Sequence, residues 1–327
     1  MAPGFKTILD QERPIAFLKA FLARGTLPHA LLFTGMDGVG KRTCAQALAM
    51  SQNCLKDPGE REAFEPCGEC PSCHKILSGV HPDVILVKRD GRFIKVGRIR
   101  VLGRSLSFKP LEAKRRFVLI PRAPDMNPEA GAALLKTLEE PSEKDVFILT
   151  AQSPSQLPPT LTSRCRHVRF NPVGLGAIAG LLTQKKGASP EKAEKIALMA
   201  EGSVGKAFHL SETDWIKRRD WLIHEAFSRD DRPLEISMAL AERLSRRPDA
   251  VEECLGILMS ISRDMMVAAH DPDKIVNRDM ADLILKRAET VREDEALLNI
   301  EKIGEARKKI NQNVNLRLAL EEFWMDF

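Results

Sequence analysis

Gly35–Arg42 read GMDGVGKR, and the residues on either side decide how that stretch is to be understood. A phosphate-binding loop has the pattern G-x-x-x-x-G-K-[ST]. Its glycines bring backbone N–H groups to the phosphates, its lysine reaches the outer ones, and its hydroxyl holds Mg2+. Seven of the eight places fit, with Gly35, Gly38, Gly40 and Lys41 as the candidate phosphate-binding residues. The eighth is Arg42, a cation with no oxygen to offer a metal ion. Just before the loop, His29–Thr34 (HALLFT) is a short apolar run that predicts a buried strand. Just after it, Lys41–Asn53 is rich in Ala, Leu and Met and predicts a helix. Strand, glycine loop and helix follow in the order that a P-loop requires.

Further apolar runs occur at Asp83–Val87 (DVILV), Arg116–Ile120 (RFVLI) and Asp145–Thr150 (DVFILT), with a strand-like His167–Phe170 beyond them. Such runs suit parallel strands covered on both faces. Between the second and third lies a helix with Asn127 as N-cap, Pro128 at its first position and Leu134, Leu135 and Leu138 as its apolar stripe, ending at Pro141. Alternating strands and helices predict a doubly wound α/β domain over about the first 170 residues. From Pro172 the texture changes. Residues 173–210 read as two or three short helices, with Ser189 capping one that starts at Pro190. Long amphipathic helices follow at 233–245 and 251–270, and Glu293–Met325 is helical in character.

At 327 residues the chain is long enough for two or three domains. No apolar run approaches the ~18 residues of a membrane span. The start of the sequence, MAPGFKTILDQERP, has no basic start followed by an apolar core, so the expected compartment is the cytoplasm and no membrane is expected as a partner. Net charge is +5, mildly basic. Lys88, Arg89, Arg92, Lys95, Arg98, Arg100 and Arg104 cluster, either as a surface for nucleic-acid phosphates or as a solvated face.

Seven cysteines in a chain of this kind argue against a disulfide framework. Cys54, Cys67, Cys70 and Cys73 are grouped as C-x12-C-x2-C-x2-C. Thiolates two residues apart converge on one tetrahedral ion, and a fourth closes the shell, which predicts structural rather than catalytic zinc. Free buried thiols are the alternative, as is a ligand role for His74 or His81 in place of one cysteine. A metal here would staple a long excursion that has little core of its own.

An ATPase also needs a carboxylate at the end of a strand beside its P-loop. Phe117–Ile120 runs instead into Pro121 and Arg122, and Asp125 comes four residues later. Two cation-handling positions are therefore missing, which argues against hydrolysis and leaves open plain ATP binding through Lys41 and the loop amides. Arg164, in Thr162-Ser163-Arg164-Cys165-Arg166, stands at the end of this domain. It is either an arginine finger for a neighbour's phosphate or a surface arginine in a loop.

These stretches together carry a resemblance. HALLFTGMDGVGK, the four-cysteine insertion, ALLKTLEEPSEKDVFILTAQSPSQLPPTLTSRCRHVRF and the terminal INQNVNLRLALEEF resemble the AAA+ clamp-loader subunits of bacterial DNA polymerase III, and among them the delta-prime type. The likeness runs from near residue 5 to the C-terminus. It implies an AAA+ P-loop domain over 1–171 with a zinc module at about 54–74, a small helical lid domain over 172–212, and an all-α collar domain over 213–327. It further implies a stator that does not hydrolyse ATP and that joins gamma/tau and delta subunits in a hetero-pentamer. That assembly places the beta sliding clamp on primed DNA, and Arg164 would reach an adjacent subunit's ATP in it. Where an active subunit has a nucleotide-sensing arginine, this chain has Gly205. The gap between Cys54 and Cys67 is longer than the family's usual one. Two rivals remain: an active ATPase of gamma/tau type with Thr43 as a displaced Mg2+ ligand, and a free-standing zinc nucleic-acid-binding protein.

Overall fold

The computed structural model describes residues 4–227, 234–290, 293–312 and 314–327, and these form two compact units. The first comprises residues up to Ile178 together with Glu201–Lys206, and the second Ala179–Ala200 with Ala207–Phe327.

In the first unit, α1 (Glu12–Arg24), β1 (Ala30–Thr34), α2 (Lys41–Asn53), α3 (Pro71–Ser78), β2 (Val84–Leu86), α4 (Val96–Leu106), β3 (Arg116–Ile120), α5 (Pro128–Glu139), β4 (Asp145–Ala151), α6 (Pro159–Thr162) and β5 (Arg166–Arg169) follow one another. The strands make one parallel sheet in the order β2-β3-β4-β1-β5. Successive side chains in a strand point to opposite sides, so each buried strand feeds two cores. Leu31 and Phe33 of β1 share one core with Leu18, Leu22, Cys44 and Leu48 of α1 and α2. Ala30 and Leu32 share the other with Ile99, Leu102, Leu134 and Leu138 of α4 and α5. The parallel α/β expectation holds, with helices on both faces.

The cysteine excursion adds a third, small cluster. Met50, Cys54, Cys73 and Ile76 are buried together, and α3 lies against α2. Cys70 is the N-cap of α3, its sulfur accepting from Cys73 N–H, and Pro71 takes the first position. Beside it, His81 is buried with Nδ1 accepting from Asp83 N–H at 3.1 Å and Nε2 meeting Ser72 Oγ at 3.4 Å.

The remaining helices are α7 (Leu175–Lys186), α8 (Pro190–Ala200), α9 (Val204–Glu212), α10 (Trp215–Phe227), α11 (Leu234–Ser245), α12 (Pro248–Ala268), α13 (Ala281–Thr290), α14 (Glu293–Asn311) and α15 (Leu316–Asp326). The terminal run is two helices, because Asn315 restarts the chain by capping Arg317 and Leu318 N–H. Residues 233 and 313, which fall in expected helical stretches, lie outside the described residues. In the second unit α11 packs on α15 and α12 on α14. Arg219, fully buried, is held there by Asp279 at 2.6 Å and Asp220 at 2.7 Å. Among the described residues no helix is long and apolar enough to cross a membrane.

Candidate functional site

β1 delivers the chain to the phosphate loop at Thr34, and α2 begins at Lys41. Gly38 and Gly40 both have left-handed backbones, with φ of +82° and +103°, which side-chain-bearing residues adopt at a cost. Lys41 is buried rather than extended into solvent. Its Nζ donates to the carbonyls of Gly35 and Met36, the latter at 2.8 Å, and lies 3.6 Å from Asp37. Burial lowers its pKa, and Asp37 offsets part of that shift. Arg42, at the place of the metal-ligating hydroxyl, is exposed, and Thr43 is half-buried on α2.

A short segment from far along the sequence is seated on this loop within the same unit. Ser203 Oγ donates to Asp37 O at 2.8 Å, and Gly205 N–H donates to Gly38 O at 3.0 Å. A side-chain carbon on Gly205 would stand 3.0 Å from Gly38 Cα. The absence of an arginine at 205 is thus accompanied by a close backbone approach that glycine alone accommodates without displacement. Gln152, just past β4, donates to Asp37 Oδ2 at 3.0 Å.

Asp125 is closer to this site than its sequence position suggests. Arg122 turns the chain through a left-handed conformation, φ +52°, with its N–H on Thr150 Oγ1. The turn brings Asp125 into a small cleft with Asp37, Thr150, Gln152 and Gln156. Its carboxylate is already matched by Arg89 at 3.0 Å and Arg122 at 3.2 Å. A carboxylate neutralised by two guanidinium groups is a poor ligand for Mg2+.

The four cysteines converge. Their sulfurs all lie within 4.8 Å of one another, with Cys54 and Cys67 at 3.5 Å and Cys67 and Cys73 at 4.0 Å. A tetrahedral ion with ~2.3 Å bonds to sulfur places its ligands roughly 3.8 Å apart, so the donor set and spacing fit zinc. Leu55 N–H and Cys73 N–H point at Cys70 Sγ, each at 3.5 Å. Burial works against the Cys70 thiolate, yet these donors outweigh it and bring the thiol down to about 6. Neither His74 nor His81 joins the cluster.

Arg164 follows α6, with its side chain about one-third exposed. Nη2 donates to Glu139 Oε1 at 2.7 Å and Nη1 to Thr160 O at 3.0 Å. On α4, Ile99 and Leu102 enter the core while Arg98, Arg100 and Arg104 are exposed. The basic cluster is therefore partly the outer face of a helix, and partly paired, as Arg89 with Asp125 and Lys95 with Asp90.

The family model described as DNA polymerase III, delta subunit, matches residues 10–174. Along nearly the whole chain, DNA polymerase III subunit delta' of Bacillus subtilis (strain 168) is 30% identical, covering 98% of this chain and 97% of that one. The chain belongs to the DNA polymerase III delta-prime family. The tau subunit of the same organism is 32% identical over 211 residues, 63% of this chain and 37% of tau. A solved gamma subunit-related protein of Thermotoga maritima aligns with 89% of this chain and 97% of its own, at 19% identity and a TM-score of 0.42.

In this delta-prime family member the sequence motifs locate the loop, the cysteines and Arg164, and the structure brings the cysteines together. What the motifs miss is the second layer around each group: Ser203 and Gln152 on Asp37, Arg89 on Asp125, and Glu139 on Arg164. Glu139 carries a signal, since it sits in the LEEP stretch. Ser203 carries one only through its glycine neighbours, Gly202 and Gly205.

Proposed function

We propose that this chain is a non-hydrolysing, stator-like subunit of the DNA polymerase III clamp loader, acting on nucleotide bound by a neighbour. The observation that carries the reading is the seating of Ser203 and Gly205 on Asp37 and Gly38, which fixes the loop from outside. Three further features support it: Lys41 turned onto loop carbonyls, Arg42 in place of a hydroxyl, and Asp125 matched by two arginines. The glycines of the loop then serve mainly to turn the chain from β1 into α2, and ATP hydrolysis at this loop is not part of the role.

The chemical contribution passes to Arg164. A guanidinium at the surface of one subunit can meet the phosphate that an adjacent subunit is cleaving. There it stabilises charge that develops only in the transition state, an effect worth ~10³–10⁵ in rate for arginine fingers. Gamma/tau subunits are the expected recipients and delta the other partner of a hetero-pentamer. The product of their joint action is the beta sliding clamp on primed DNA. In this reading 1–171, 172–212 and 213–327 are the AAA+, lid and collar domains, and Cys54, Cys67, Cys70 and Cys73 hold a structural Zn2+. The exposed arginines of α4 offer DNA phosphates a salt-sensitive contact without sequence preference.

ATP turnover by the purified chain tests the first half of this. Turnover at the level of buffer is expected. Turnover that Lys41→Ala abolishes would instead favour an active gamma/tau-type ATPase with Thr43 on the metal.

A further inference from the structure

The LEEP and SRC stretches are distant in sequence and meet in the fold. α6 is anchored by Leu161, buried in the core that also holds Ala130, Leu134 and Leu138 of α5. Arg164 N–H closes the turn onto Leu161 O at 3.2 Å, so the base of its side chain is fixed relative to α5. Glu139, the last residue of α5, follows the buried Leu138 directly and is fixed by the same core. The guanidinium then spans the two anchored points, Glu139 Oε1 at 2.7 Å and Thr160 O at 3.0 Å.

From this geometry we infer that Glu139 is a positioning residue for Arg164, setting the direction in which the guanidinium faces an incoming phosphate; the inference rests on Arg164 acting on a neighbour's nucleotide. An arginine side chain has many rotamers, and ordering it on arrival of the neighbour would subtract from the rate. Two contacts engage two of the five N–H groups and leave three for a phosphate. The pair is surface-exposed on both sides, 36% and 49%, where such pairs contribute little to folding stability. Its consequence is therefore one of aim rather than of stability. A glutamine at 139 keeps an oxygen acceptor in the same place without the charge, so orientation and electrostatics can be separated.

Two measurements test this. In the 15N-arginine-labelled chain, side-chain relaxation at Arg164 Nε–H should report an ordered group, with order lost in Glu139→Ala and kept in Glu139→Gln, at unchanged melting temperature. In loader reconstituted with gamma/tau and delta, Glu139→Ala should lower kcat for ATP about tenfold with KM unchanged, and Glu139→Gln should stay near the unsubstituted rate. Glu139→Ala added to Arg164→Ala should cost nothing more. Unchanged order at Arg164 in Glu139→Ala, or a double variant slower than Arg164→Ala alone, would overturn the inference. If Arg164→Ala leaves turnover untouched, the arginine-finger reading fails, and the relaxation measurement alone then decides the positioning claim.

Discussion

Gly38 has a left-handed backbone and faces the backbone of Gly205, so that a side-chain carbon on it would stand 2.9 Å from Gly205 N and 3.1 Å from Gly205 Cα. Both strain and crowding oppose any larger residue. Gly38→Ala is expected to lower stability by about 2–4 kcal/mol, measured by urea unfolding; a change within experimental error would show that segment 201–206 is not held on the loop. Asp83 gives a second residue-scale test. Burial by itself would raise its carboxyl, but N–H groups of Glu112, Ala113 and Leu111 at 2.7–2.9 Å, with Arg116 nearby, outweigh burial and hold it below its ordinary 3.8. The folded chain then binds fewer protons at this group than the unfolded chain, so its stabilisation is full above pH 3.8 and is lost as pH falls through the lower folded value. Asp145, which shares Arg116, is raised by burial and contributes in the opposite sense. Asp83→Asn should therefore cost about 1–3 kcal/mol near neutral pH, with the deficit shrinking below pH 3.8; a constant deficit down to about pH 3 would contradict the assignment. The phosphate loop itself is legible in sequence because glycine spacing and Lys41 are local signals. Its occupation by Ser203 and Gly205 is not, since it depends on a contact across more than 160 residues.

At the scale of elements, what the sequence reveals follows from how much apolar signal each one carries. β1, β3 and β4 are buried along their whole length and stand out as apolar runs. β2 is only half-buried, and it is observed over three residues where five are expected. α4 sends only Ile99 and Leu102 into the core and carries Arg98, Arg100 and Arg104 outside, so charge masks its helical period. The turn at Arg122 hides Asp125 in the same way, because distance along the chain says nothing about a left-handed reversal. The cysteine module is the opposite case: its ligand spacing is explicit, but its core of Met50, Cys54, Cys73 and Ile76 is too small to be seen. So small a cluster would lean on a metal held by its four cysteines. One equivalent of zinc per chain is expected on metal analysis. Stripping it with a chelator, or Cys67→Ser, should lower the melting temperature and loosen α3, seen as faster amide exchange over 71–78. Less than about half an equivalent in untreated protein, or exchange unaffected by chelation, would remove zinc from the account.

For the whole molecule, the parallel sheet and the helical second unit were both legible, the first from apolar runs and the second from amphipathic period. The proposed division of labour between subunits was already implied by the resemblance and by Arg42, and the structure adds a contrast between two cations of one unit: Lys41 is buried on its own loop, whereas Arg164 is presented on the surface with donors to spare. That contrast is the central claim, and it makes opposite demands on the two residues. The most direct measurement is steady-state ATP turnover of loader reconstituted with gamma/tau and delta, comparing Lys41→Ala with Arg164→Ala in this chain alone. The account predicts that Lys41→Ala leaves turnover unchanged and that Arg164→Ala lowers it by ~10³ at the site it serves. Loss of turnover with Lys41→Ala, and none with Arg164→Ala, would contradict it.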